Sequence, residues 1–208
     1  TRQLLRKVNG ALEEKGILSK KLQFSVLNGY LKMPVPDSEE VAATILAALN
    51  GSLHELRLLL MRDARVTCGL APSKTEFTNA THPVNLVYAS AVPVNAYVNG
   101  IGAVAKGFGD DQMQAFQRTV AELFLIAQYL GALQVASNTA KVLKVRSSKV
   151  LLMPLGGGAF KNSWESIVKS IAMAVELCQS DLDLLDIHVL VLDGGKAGKS
   201  DDTPAEQR

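Results

Sequence analysis

The residues best suited to chemistry are three consecutive glycines, Gly156, Gly157 and Gly158, which follow an apolar run over 149–155 and precede a helical pattern from Ser163. Glycine reaches backbone conformations closed to other residues and lets N–H groups approach a ligand closely. A helix starting a few residues later adds its positive N-terminal end at the same spot. Together these features make a phosphate cradle, in which a side chain at Gly157 is expected to fill the phosphate's space. The plainer reading is a strand-to-helix connection whose glycines only relieve crowding. Neither common nucleotide fingerprint is present, because residues 156–162 lack both the Gly-Lys-Ser/Thr ending of a P-loop and the third-glycine spacing of the dinucleotide fold. Gly194-Gly195-Lys196 reads as a linker, since nothing apolar follows it.

Other chemistries have less support. His54, His82 and His188 share no metal-ligand spacing, and no metal or cofactor is expected. Cys68 and Cys178 are too few and too far apart for a disulfide framework and read as buried small hydrophobes of a reducing, intracellular compartment. Lys+Arg 22 against Asp+Glu 20 leaves a net charge of +2, which removes the generic reason to expect a nucleic-acid or membrane-surface binder. Aromatic residues are only 5% of the chain, so base-stacking platforms are equally unsupported. The most apolar stretch, 120–136, is broken by Glu122, Gln128 and Gln134 and reads as a core helix rather than a membrane span.

The elements that must position the glycines follow from periodicity. Leu4, Leu5, Val8, Ala11 and Leu12 predict a first helix closed by Gly16. Asn28-Gly29 predicts a hairpin turn within residues 22–33. Asp37 and Glu40 predict the start of a helix carrying Val41, Ile45 and Leu49 to Asn50-Gly51, and another helix is expected from Ser52 to about Met61. Residues 64–69 read as a strand, 72–83 as a surface loop and 84–94 as a buried strand. Gly100, Gly102, Gly107 and Gly109 form a glycine-rich stretch before the longest helix, expected from an Asp110 cap to about Lys141. Strand 149–155, helix 163–179 and strand 186–192 then predict a βαβ unit with parallel strands. Residues 1–193 read as one domain and 194–208 as a polar tail. The chain opens on Thr1 rather than Met, and an upstream portion is expected.

Leu155-Gly-Gly-Gly-Ala-Phe-Lys-Asn162, followed by a helix, resembles the second phosphate loop of macrodomains, which wraps the diphosphate of ADP-ribose. Asn28-Gly-Tyr-Leu31, Arg62-Asp-Ala-Arg-Val-Thr67, His82-Pro-Val84 and Tyr88-Ala-Ser-Ala-Val-Pro-Val94 occur in the order of an atypical macrodomain-like branch. That branch includes a bacterial effector that removes ADP-ribose from modified ubiquitin. The matches run from about Gln23 to Leu192.

The resemblance implies an α/β fold, specifically a three-layer αβα sandwich around a mixed sheet, here lacking its N-terminal part and with it the first ligand loop. It further implies a metal-independent ADP-ribosyl hydrolase acting on ADP-ribosylated protein. Gly156, Gly157, Gly158 and Ala159 would then line the diphosphate, and Phe160 and Asn162 would position the distal ribose. Ser90 either faces the ligand or is satisfied within its strand. Asp63 either stabilises the oxocarbenium-like transition state and activates water, or caps a turn after the helix ending near Met61. His82 reads as a surface or packing residue. Two positions depart from the pattern: Arg62 replaces an aromatic residue, and Lys161 stands where a small residue is expected. Lys161 either reinforces phosphate binding as a point charge or narrows the cleft; in the latter case, with Arg62, it supports the rival reading, a catalytically degenerate structural or interaction subunit that engages protein partners in a larger complex.

Overall fold

A computed structural model describes residues 2–17, 19–27, 29–68, 78–94 and 109–190. Asn28, Gly69, residues 72–77, Gly100, Gly102, Gly107, the end of the last expected strand and the expected tail lie outside the described residues. The elements are α1 (Arg2–Glu14), β1 (Ser25–Leu27), β2 (Tyr30–Lys32), α2 (Glu39–Ser52), β3 (Leu59–Cys68), β4 (Thr78–Tyr88), α3 (Asp110–Leu143), β5 (Ser148–Leu152), α4 (Trp164–Leu177) and β6 (Leu185–Val189). The fold is mixed α/β. Its described strands pair two by two: β1 with β2 and β3 with β4 antiparallel, β5 with β6 parallel. A single mixed sheet is therefore not formed among the described residues.

The N-terminal helices follow the periodicity closely. α1 buries Leu4, Leu5, Val8 and Leu12 and closes at Gly16, whose φ of +83° is open to glycine at no steric cost. The Gly16 N–H bonds to Glu13 O and the Ile17 N–H to Leu12 O, a Schellman closure. α2 is capped by Ser38, whose hydroxyl accepts from the Val41 N–H, rather than by Asp37, and it runs through Gly51 to Ser52.

Three expectations are corrected between residues 52 and 94. Instead of a helix to Met61 there is one 3-10 turn, Leu53–Glu55, and then the strand β3. A run of leucines carries no period that separates helix from strand, and pairing with β4 decides it. Residues 78–83, expected in a loop, belong to β4, where Pro83 lies opposite Arg65 beside a register irregularity that tolerates its missing N–H. The expected buried strand 84–94 ends at Tyr88, which is 50% exposed, because no further described strand covers this hairpin. The buried part of the segment is the irregular Ala91-Val92-Pro93.

α3 is the scaffold against which the elements before and after it pack. Its first half packs Met113, Phe116, Val120, Ala121 and Phe124 with α1, α2, Phe24 and Val92. Its second half packs Leu125, Tyr129 and Leu133 with Ala91, Leu152, Ile167, Ile171 and Ala174. By length and composition alone α3 could cross a membrane, yet each half has protein packed against it. Its N-cap is Gly109, whose N–H donates to the Gln112 side chain at 2.9 Å, rather than Asp110. The βαβ expectation holds: β5 and β6 run parallel around α4, pairing Lys149 with Asp186 and Leu151 with His188. β5 ends at Leu152, ahead of Pro154, which removes a ladder donor. Ser163 caps α4, accepting from the Ser166 N–H at 3.1 Å.

Candidate functional site

The glycine loop leaves β5 through Met153-Pro154-Leu155, a stretch without a strand partner for every backbone group. Tyr129 on α3 supplies what is missing: its hydroxyl donates to Met153 O and accepts from the Leu155 N–H, both at 2.9 Å. Burial pushes this hydroxyl above the ordinary phenol range, with the Leu155 N–H pulling the other way. The stability it contributes is therefore present below about pH 10 and is lost as the pH rises further. Tyr129→Phe keeps the packing but strands a carbonyl and an N–H. It is expected to cost about 2 kcal/mol in urea unfolding at pH 7, and an unchanged midpoint would show that water replaces the phenol.

Gly156 sits at φ +80°, and a Cβ there would lie 2.5 Å from the Ala91 Cβ and against the Asn162 side-chain nitrogen. This glycine is required by close approach of two segments. A Cβ on Gly157 would instead meet Ile167 Cδ1 at 3.3 Å, pointing toward the core and not into the space a phosphate would take. Gly158 faces open space. Crowding thus accounts for the first glycine and leaves the third without a packing reason.

Three of the loop's carbonyls accept backbone hydrogen bonds, two of them from the loop's own N–H groups. Gly156 O accepts from the Asn162 N–H at 3.0 Å, Gly158 O from the Lys161 N–H at 3.1 Å, and Phe160 O from the Val94 N–H at 3.0 Å. Lys161 closes the turn with a left-handed φ of +59°. The Asn162 amide donates to Val92 O at 3.0 Å, stapling the loop to the segment after β4. The N–H groups of Gly157 and Gly158 have no partner among the described residues. Two consecutive N–H groups left free on a glycine turn are suited to an anion.

Three sequence motifs converge here. Phe160 packs edge-on against Tyr30 of the Asn-Gly-Tyr-Leu motif, ring centroids 5.7 Å apart at 77°. Ser90 lies at the start of the segment that the loop grips. Its N–H donates to the Gln128 side chain at 2.7 Å and its carbonyl accepts from it at 3.0 Å, leaving the serine itself exposed. Asn162 is 5% exposed and acts as a staple, and Ala159 is exposed on the loop's rim. Asp63 is not joined to this group by any bond. It occupies a β-bulge between Met61 and Ala64 at φ +53°, its N–H donating to Asn85 Oδ1 at 3.2 Å. Neither a turn cap nor the end of a helix, it is a bulge residue of a kind asparagine and aspartate tolerate.

Several contributors escaped sequence reasoning. Gln128 looked like an interruption of an apolar face, yet its buried amide holds Ser90 as a neighbouring strand would; a lone amide on such a face is the available signal. Glu122, another interruption, accepts from Ser166 at 2.8 Å and Lys169 at 3.0 Å, and Ser166 in turn accepts from Ser163 at 3.0 Å, which fixes the start of α4 against α3. Arg118, one turn before Glu122, has no sequence signature at all. No protein-family model matches the chain, and no curated protein matches it in sequence.

Proposed function

We propose that this chain binds ADP-ribose in a macrodomain-like, three-layer α/β arrangement, with the glycine loop holding the diphosphate. One observation carries the reading: the unpaired N–H groups of Gly157 and Gly158 beside the N-terminus of α4, in a loop closed by its own backbone bonds. The convergence of the motifs at Tyr30, Ser90–Val94 and Gly156–Asn162 supports it. Phe160 serves as a wall held by Tyr30, and Asn162 sets the loop's shape rather than reaching out with its amide nitrogen. The fuller reading, an ADP-ribosyl hydrolase acting on ADP-ribosylated protein, needs a carboxylate at the anomeric carbon. Asp63 is the residue proposed for that role, and its place in the hairpin bulge makes binding the stronger half of the reading.

The rival reading, an interaction subunit without catalysis, has its own support. A parallel strand pair is normally covered on both faces, yet Leu151 and Met153 of the β5 segment are 56% and 55% exposed.

Calorimetric titration with ADP-ribose, ADP and AMP separates these readings. Selective binding of ADP-ribose is expected; equal affinities or none would overturn the proposal. Gly158→Val places a branched side chain in the open space before the loop and is expected to weaken ADP-ribose roughly tenfold or more, with its thermal midpoint unchanged. Undiminished affinity would remove the loop from the site.

A further inference from the structure

Beside the glycine loop, α3 and the start of α4 enclose a cleft of about 340 Å³. Gln114, Arg118, Lys161, Asn162, Ser163 and Ser166 form its polar walls, and no carboxylate is among the residues lining it. Glu122, one turn after Arg118 on α3, is already bonded to Ser166 and Lys169. Arg118 and Lys161 are exposed, and neither makes an ion pair among the described residues. Two unpaired cations facing one cleft repel each other unless an anion lies between them.

Two further features point to what that anion carries. The Trp164 and Glu165 N–H groups, in the first turn of a 14-residue helix, have no backbone acceptor, while the Ser163 hydroxyl serves Ser166. Asn162 is 5% exposed and commits its nitrogen to Val92 O, leaving its side-chain oxygen as the buried polar atom without a partner among the described residues. A buried acceptor of this kind is costly unless a donor reaches it, and a ligand hydroxyl is such a donor.

We infer that this cleft is a second anion position, taking the phosphoryl group of a sugar phosphate on Arg118 and Lys161 with a neighbouring hydroxyl on Asn162. The inference deepens the reading of the glycine loop and rests on it in naming a sugar as the group attached to the phosphate. Lys161, the departure from the macrodomain pattern, thereby becomes a specificity residue: its left-handed backbone turns the chain at the junction between loop and cleft.

Binding is followed by calorimetry while ribose 5-phosphate, inorganic phosphate or ADP-ribose is added to the wild type, Arg118→Gln, Lys161→Asn and the double variant. Asparagine removes the charge while tolerating the left-handed backbone. Saturable binding of ribose 5-phosphate is expected, tighter than that of inorganic phosphate, and weakened roughly tenfold or more by each substitution. Lys144→Gln, a cation elsewhere on α3's end, should leave it unchanged. An absent response, or equal affinity in the double variant, overturns the inference. If ribose 5-phosphate binding depends on the two cations while ADP-ribose fails to bind, the cleft stands and the ADP-ribose reading falls. If ADP-ribose binds wild type and double variant alike, the reverse holds.

Discussion

Gly156→Ala, a single added methyl group, is expected to destabilise the protein by about 2–5 kcal/mol and to abolish ADP-ribose binding. Two costs add. Alanine at φ +80° occupies the left-handed region, which costs roughly 1–2 kcal/mol. Its Cβ would also stand 2.5 Å from the Ala91 Cβ and 3.1 Å from the Asn162 Cγ, both held in place by the staple to Val92. Overpacking of this kind costs about 1–3 kcal/mol. Relief requires the segment 91–94 to back away from the loop, and the bonds that orient the free N–H groups then go with it. Urea unfolding of Gly156→Ala beside Gly158→Ala makes the test, because a methyl group at Gly158 meets nothing within 4 Å. Midpoints that coincide would mean that the loop yields easily and that its shape is not fixed by this contact.

Asn162→Asp should be nearly as damaging at neutral pH, for an electrostatic reason. The substitution is almost isosteric, but it exchanges an N–H donor for a carboxylate oxygen pressed against the Val92 carbonyl at a 5% exposed position. Leaving the acceptor unpaired and burying a charge costs about 3 kcal/mol or more. The sign of the pH dependence is diagnostic. Burial and the facing carbonyl raise the folded-state pKa of the new carboxyl above its unfolded value, so protonation favours the folded state, and the penalty shrinks as the pH falls into the acid range. Once protonated, the acid can again donate to Val92 O. Stability of Asn162→Asp relative to wild type is measured by denaturant midpoints from pH 7 to pH 4. A gap that stays constant would show that the staple is not the reason for the loss.

Much of this architecture was legible in the sequence, for identifiable reasons. α1, α2, α3 and α4 bury stripes at helical spacing and carry recognisable starts or stops, so their existence follows from period and caps. The parallel β5–α4–β6 unit follows from two short apolar runs flanking a helix. In the hairpin β3–β4 the expected strands account for 64–68 and 84–88, while 59–63 and 78–83 differ because their information is not local. Leu58-Leu59-Leu60-Met61 fits a helix or a strand equally, and a two-stranded hairpin with an open face lacks the clean alternation that burial would impose. The glycine loop was visible as composition, yet the division of labour inside it was not. Which glycine is demanded by packing, and which faces open space, depends on Ala91, far away along the chain, and on Ile167 in the helix that follows. Gln128 and Arg118 lay hidden for the same reason: a polar residue on a long helix acquires meaning only from what crosses it.

Ala91 and Val92 are adjacent, yet they belong to different apolar clusters, Val92 to the one built on the first half of α3 and Ala91 to the one built on the second. Loosening either cluster therefore tugs on the same dipeptide, and through Val92 O and the Val94 N–H on the loop that would hold a ligand. The seam makes the site a reporter of cooperativity. A ligand that binds only when both clusters are formed draws its linkage energy from the two together. Partial opening of one end of the molecule would then release that ligand even where the loop itself has kept every bond.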